Sequence, residues 1–503
     1  MKKFNLLVAV AVLMALASCK KSKEDTPGPK NQAPEVTLTV ESASGKLWNE
    51  ITVEINASDA DGKIVSVDLY ANDQWIGKDN EAPYEVAWDT RDFDDGAVTL
   101  KAVVTDELEA VTESEKKVEV MNTLMDYNLQ EGFLAMSPSF KYFTFITNEN
   151  GQILYFDQIE TLPYKASVLR PEGVEDEQFD VHFAYANPLK GHLETFTGIS
   201  PGAFAPLKED QRGKMTGKSS MKFKDIPQHD HFSYGNYNGK LLKKETAYSI
   251  NLYENMDMAY VYLRQGKKGL YKVFKGLKDG DSEASLSVMG FEMDQHEFYV
   301  KQPLDGVTVS MFGHTVPGVG VPGVQIFGAA ASGAVLSYKI NYHTPQKGKI
   351  FDHFSSLVTF RAKNKIYYME SYSDLISVPL TLDLNAALNG NKILNEIDLT
   401  VSGSPYDLLI ANYYLSNNGF KFTWECNSGG KDIEFPVIPT GLTKAFSKFS
   451  NANLVFTEAD VSFGIRDYDH IKGYDEYIRV MSGRTGKTLK EGGKYNLVTM
   501  QGM

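Results

Sequence analysis

From Glu35 onward the chain is a succession of short runs in which apolar and polar residues alternate, and each run stops at a turn. Ile51, Val53 and Ile55 alternate with polar neighbours. So do Val65, Val67 and Leu69, and Val98, Leu100, Ala102 and Val104. Successive side chains on a strand point to opposite faces, so period two predicts strands with one buried face. Asp59-Ala60-Asp61-Gly62, Ala71-Asn72-Asp73 and Asp94-Asp95-Gly96 separate the runs. Gly tolerates positive φ there, and Asp bonds its local backbone. The expectation is an all-β chain of tandem β-sandwich modules. At 503 residues several domains are expected, and a hydrophobic content of 42% is enough for their cores.

Residues 35–121 hold about seven such strands, the number and spacing of an Ig-type sandwich. Strand patterning continues beyond residue 122. Tyr142 to Thr147, a turn at Asn148-Glu149-Asn150-Gly151, and Gln152 to Phe156 predict a hairpin. Ala259 to Arg264, a turn at Gln265 to Gly269, and Leu270 to Phe274 predict a second. Further matches follow in the same order: Gln178 to Phe183 with Gln295 to Val300, Asn187 to Gly191 with Gln302 to Gly306, and Pro201-Gly202 with Pro317-Gly318. Matched order predicts two related β-sandwich modules, at 122–255 and 256–385. A third β domain is expected at 386–503, with a hairpin from Leu408 to Cys426 around Asn417-Asn418-Gly419. A propeller is the alternative for this half, although no period of about 40–50 residues is visible.

The first residues read differently. Lys2 and Lys3 precede an apolar run from Leu6 to Leu16, the length of a signal peptide and too short to span a bilayer. Leu16-Ala17-Ser18-Cys19 closes it. This resembles a bacterial lipobox. The resemblance implies cleavage after residue 18 and acylation of Cys19, so that outer-membrane lipid is the first partner. Two or three acyl chains hold a protein that one would not. Residues 19–34, charged and then Pro-rich, predict an extended tether. Lys23-Glu24-Asp25 soon after the Cys is similar to the surface-export signal of lipoproteins from Bacteroidetes-type bacteria. The implied location is the outer membrane at the cell surface, with the periplasmic face as the alternative.

The first module carries a second resemblance. Ser58-Asp59-Ala60-Asp61-Gly62, Ala82-Pro83-Tyr84 with Val86 and Trp88-Asp89-Thr90, and Asp95-Gly96 with Leu100, Ala102-Val103 and Asp106 resemble the bacterial Ig-like domain. In that family the module is a spacer or adhesion element. Trp88 is then the core aromatic, and Trp75 sits at a hairpin. Asp59 and Asp61 read as a solvated turn, because the oxygen-ligand spacing of a calcium loop is absent.

Several motifs fail on physical grounds. A net charge of −14 argues against nucleic acid as a partner, since phosphate binding needs a basic footprint. Of two Cys, one belongs to the anchor, and Cys426 falls in the alternating run Phe420 to Cys426 as a buried strand residue. Gly198-Ile199-Ser200-Pro201-Gly202 fits the letters of a nucleophile elbow, but Pro201 has no N–H for an oxyanion hole. Gly318 to Gly323 fits G-x-G-x-x-G with no helix to open, and Thr485-Gly486-Lys487-Thr488 lacks the first glycine of a phosphate loop. His229 and His231, with His182 or His192, are the residues a metal would use, but solvated loop histidines are the simpler reading. Gly306 to Tyr338 carries no Asp, Glu, Lys or Arg. It reads as paired strands with an apolar Pro-Gly loop, or as a loop that meets a partner. Tyr413-Tyr414 and Tyr367-Tyr368 must each put one ring on either face of a strand.

The expected protein is a non-enzymatic surface lipoprotein. A tether and an Ig-like spacer present the later modules to an extracellular ligand, with a glycan favoured. An adhesion protein binding another protein, and a hydrolase of extracellular glycan or peptide, are the alternatives. Cys19, as the lipidation site, is the one assigned site residue. No catalytic, cofactor or metal residue is assigned.

Overall fold

The computed structural model describes residues 30–501 apart from 43–44, 207–214, 236–246, 255, 316–322, 349, 364, 380–383, 390–395, 418, 431, 455–460, 486, 488 and 490–493. The chain is all-β, built of tandem sandwich modules. Among the described residues its α-helices are the short Thr440–Ala445 and Tyr474–Met481. Two compact units result, one ending at Val120 and the other beginning at Met121.

The first unit is a sandwich of two sheets. One orders the strands Glu35–Thr39, Glu50–Ser58 and Tyr84–Asp89. The other orders Lys46–Leu47, Val111–Val120, Gly96–Asp106, Ile64–Ala71 and Gln74–Asp79. The alternating residues Val53, Ile55, Val67, Leu69, Val98, Leu100, Ala102 and Val104 close the core between them. Val65 departs from the pattern and is exposed. A register shift between Ile64 and Ser66 turns it outward, and a bulge of this kind cannot be read from alternation alone. Trp88 lies in the core with Phe93 edge-on at 5.5 Å. Trp75 follows a two-residue turn at Asn72 and Asp73, which both have positive φ, 47° and 63°. That turn matches the twist of the paired strands. The Trp75 ring is exposed and its Nε1 donates to Asp68 at 3.1 Å. Asp59 does what a turn residue does: its carboxylate accepts from the N–H groups of Asp61 and Gly62.

The second unit is organised on a twelve-stranded sheet. Its spatial order is Ile153–Ile159, Lys141–Thr147, Phe179–Ala186, Lys190–Ile199, Phe420–Ser428, Leu408–Asn417, Val461–Tyr468, Lys494–Gln501, Lys365–Ser371, His353–Ala362, Leu304–His314 and Val324–Val335. All of its described pairings are antiparallel but one: Lys190–Ile199 runs parallel to Phe420–Ser428. Strands from all three expected regions enter this sheet, so the boundaries expected at 255 and 385 do not divide it. All three predicted hairpins form: Lys141–Thr147 with Ile153–Ile159, Ala259–Gln265 with Lys268–Phe274, and Leu408–Asn417 with Phe420–Ser428. Beyond them the partners differ. Phe179–Ala186 pairs with the first strand of its hairpin, whereas Phe291–Val300 pairs with the second strand of its own.

The parallel joint has a buried face on each side. On one, Leu193, Trp424, Cys426, Ala411 and Phe463 meet Ile433, Phe435 and Leu442. On the other, Phe183, Phe196 and Ile410 meet Tyr477 and Ile478 of helix Tyr474–Met481. Cys426 is the buried strand residue that its pattern predicts, and burial pushes its thiol well above the ordinary range. In a Cys19→Ala protein at pH 8, Cys426 is expected to react with a chromogenic disulfide reagent about 100-fold more slowly than in urea. Comparable rates in both conditions would show an accessible thiol.

Candidate ligand-binding cleft

The parallel joint decides which side chains stand together. Glu194 is opposite Phe183 on one side and Glu425 on the other, and Glu425 is opposite Asn412. Opposed residues share a face, and neighbouring strands lie about 4.8 Å apart. Two glutamates therefore stand side by side on the face that carries Phe196. One row along, Tyr142, Tyr185, His192, Thr423 and Tyr414 are opposed in turn. Tyr185 and His192 stack at 4.8 Å and 27°, with Tyr142 at 5.7 Å from Tyr185 and Phe140 edge-on to Tyr185 at 5.2 Å. His192 Nδ1 lies 2.6 Å from Thr423 Oγ1. Tyr414 has its ring out, 57% exposed, while Tyr413 is buried against Trp424, as adjacent strand residues must be.

Two hollows open on this face. One, of about 310 Å³, is lined by Phe140, Tyr142, Tyr185, His192 and Glu194 among others. The second, of about 260 Å³, is lined by Glu194, Glu425, Arg466, Tyr477 and Met481 among others. Phe133 and Glu194 belong to both linings, so the hollows are neighbours in one cleft. The sheet supplies its floor, and the segment around Phe133 and helix Tyr474–Met481 supply its walls.

The electrostatics follow from enclosure. Burial, and then the Glu425 charge, push the Glu194 carboxyl up to about 8. Burial and then Lys190 bring the His192 imidazole down to about 4. The Tyr477 phenol is raised, chiefly by burial. Glu194, Glu425 and the Tyr477 hydroxyl make no side-chain hydrogen bond among the described residues, whereas Arg466 donates to the Tyr468 hydroxyl at 3.1 Å. The cleft thus offers an aromatic wall beside oxygen groups whose bonding capacity is unspent. Such an arrangement accepts a ligand that is apolar on one face and rich in hydroxyls at its edge.

The residues expected from sequence are placed as follows. Cys19 and most of the tether lie outside the described residues, as does 316–322 of the uncharged stretch. His229 Nδ1 is 2.7 Å from the Pro227 carbonyl oxygen. His231 pairs with Arg264 in a different sheet. His182 lies in the core, with Nε2 at 3.0 Å from Thr147 and Nδ1 at 3.0 Å from Thr195, its ring stacked on Phe145 at 4.2 Å. Of the four histidines His192 alone lines the cleft, and among the described residues no group of three or more His, Cys, Asp or Glu is placed to hold a metal. The Ser200 carbonyl oxygen takes a hydrogen bond from Arg484. Sequence reasoning missed Glu194, Glu425 and Tyr477. The available signal was a carboxylate on the same strand face as Phe196, two residues away.

A family model of the bacterial Ig domain matches residues 34–102. It covers the Ig-like motifs from Ser58 to Ala102, stops short of Asp106, and ends inside the first unit. No curated protein matches the chain. Among solved structures the chain is similar to Clostridium thermocellum CbhA fibronectin(III)-like modules, at 28% identity over 17% of this chain and 93% of that one, with a TM-score of 0.15. It is similar to the PKD1 domain of Vibrio anguillarum Epp, at 21% identity over 18% of this chain and 96% of that one, with a TM-score of 0.15. A third likeness is to the SGBP-B protein of a Bacteroides ovatus mixed-linkage glucan utilization locus, solved with a mixed-linkage heptasaccharide. That one stands at 10% identity over 62% of this chain and 92% of that one, with a TM-score of 0.15. At such scores these likenesses carry no conclusion about function.

Proposed function

We propose that this chain is a lipoprotein, held at the outer-membrane surface through Cys19, whose second unit binds an extracellular glycan in the cleft of the twelve-stranded sheet. The observation that carries the reading is the stacked pair Tyr185–His192 beside the carboxyl groups of Glu194 and Glu425, which make no side-chain hydrogen bond among the described residues. A sugar ring presents C–H groups on its face and hydroxyls around its rim. The aromatic wall takes the first, and carboxylate oxygens accept from the second. The Ig-like unit then serves as the spacer between anchor and cleft.

A panel of extracellular polysaccharides run by affinity electrophoresis tests this. Retarded migration on at least one is the expected result. Tyr185→Ala should weaken that binding about tenfold, the effect of losing one aromatic contact of about 1.4 kcal/mol. Binding to protein partners with no retardation on any polysaccharide would favour adhesion instead. For the anchor, Cys19→Ala should move the protein from the membrane fraction to the soluble one. A variant that stays acylated and membrane-bound would refute lipidation at that residue.

A further inference from the structure

We propose that the cleft also cleaves the glycan it binds, by retaining glycoside hydrolysis with Glu194 as general acid and Glu425 as nucleophile. This rests on the glycan reading above and adds a reaction to it.

Four observations carry it. First, the parallel register opposes Glu194 and Glu425 on one face of the sheet. Adjacent strands set the two backbones about 4.8 Å apart, so the carboxyl groups can reach the separation of about 5–5.5 Å at which one carboxylate attacks the anomeric carbon directly instead of through a water. Second, the two carboxyl groups lack partners among the described residues although they lie in an enclosed site. Such a pair costs folding free energy and persists where a site uses it. Third, and independently, Tyr477 is only 4% exposed, lines the same hollow, and makes no side-chain hydrogen bond among the described residues. Its hydroxyl can therefore bond an oxygen of a ligand lying in that hollow. Fourth, Glu194 lines both hollows, and each has the room of about one or two sugar rings. A chain lying across the cleft would put a glycosidic bond at Glu194.

The acid role falls to Glu194, whose carboxyl burial and then the neighbouring Glu425 charge raise to about 8. In the first step a Glu425 carboxylate oxygen attacks the anomeric carbon and the bond from that carbon to the leaving oxygen breaks. Glu194 gives its proton to that oxygen and becomes a carboxylate. In the second step Glu194 takes a proton from water as the water oxygen attacks the anomeric carbon, and the ester bond to Glu425 breaks. One water is consumed, one reducing end is released, and two inversions retain the configuration. Tyr477 is a positioning residue that holds the ring oxygen or the nucleophile by its hydroxyl.

The test takes the polysaccharides retained in the binding panel and measures release of reducing sugar by the full chain. Release is expected, and Glu425→Gln and Glu194→Gln, checked for folding by thermal unfolding, should each lower kcat by at least about 1000-fold. With Glu425→Ala, added azide should yield a glycosyl azide, which a purely structural role for Glu425 would not produce. Polysaccharide that is bound but never cleaved would overturn the hydrolase and leave the binding reading standing. Cleavage that survives both glutamine variants would overturn the assignment of these residues. Failure to bind any polysaccharide would overturn the glycan reading on which both rest.

Discussion

Trp424→Ala is expected to lower the stability of the second unit by about 4 kcal/mol, read as a fall in the urea midpoint. The Trp424 ring is 1% exposed. It stacks on Tyr413 at 4.3 Å and meets Phe435 edge-on at 4.9 Å. Its Nε1 donates to Thr195 Oγ1 at 2.9 Å, across the parallel joint. Alanine removes the largest side chain at this joint and leaves a cavity between strands that cannot simply close. Domains of this kind have only about 5–15 kcal/mol in total, so the loss is a large fraction. Trp424→Phe separates the two contributions. It keeps the stack and gives up the hydrogen bond, while Thr195 keeps His182 Nδ1 at 3.0 Å. A cost of about 1–2 kcal/mol is expected for phenylalanine. Equal midpoints for the two variants would show that the ring's packing adds nothing.

The second large effect concerns Glu194 and has a direction that depends on pH. Its folded value, about 8, lies above the ordinary carboxylate range of the unfolded chain. Between those two values the native state binds more protons than the unfolded state. Stability associated with this group is therefore complete below the unfolded value and is lost as pH rises through the folded one. Glu194→Gln cannot ionise and removes that loss. At pH 9 the variant is expected to be more stable than the natural chain by about 2 kcal/mol, a figure discounted because water reaches the cleft. By pH 5 the gap should have closed. The titratable and charged groups that line the hollows with Glu194 are Glu425, Tyr142, Tyr185, Tyr477, His192, Lys190, Arg466 and Lys487. The histidines give the opposite slope. Burial holds His182 at about 3 and His192 at about 4, so their contribution is present above the unfolded value and lost as pH falls. Glutamine at 194 should leave that acid limb unchanged. A natural chain no less stable than Glu194→Gln at pH 9 would refute the raised carboxyl. Thermal unfolding across pH 5–9 measures both limbs.

Much of the architecture was legible because strand residues have only two faces. Val53, Leu69 and Leu100 alternate with polar neighbours, and they are buried. Cys426 belongs to the apolar set of its run and is buried. Asn72-Asp73 and Asn148 to Gly151 were read as turns, and strands pair across both. Val65 was misread because a bulge changes the count on one strand without any local sequence cue. The site was not legible for a different reason. The histidine pair at 229 and 231, read as solvated in preference to metal-binding, lies away from the cleft, with His231 on a strand of another sheet.

The sequence by itself determined the all-β class, the Ig-like first unit, the hairpins and, wherever no bulge intervenes, the inward face of a strand. Those follow from period two and from local turn chemistry, which act over a few residues. The tertiary structure alone decided that Lys190–Ile199 would lie parallel to Phe420–Ser428, in a register whose partners are 231 residues apart, as His192 and Thr423 are. Alternation states which way Glu194 and Glu425 point. It cannot state that they point into the same cleft, because a strand's neighbour is chosen by the packing of both sheet faces across the whole unit.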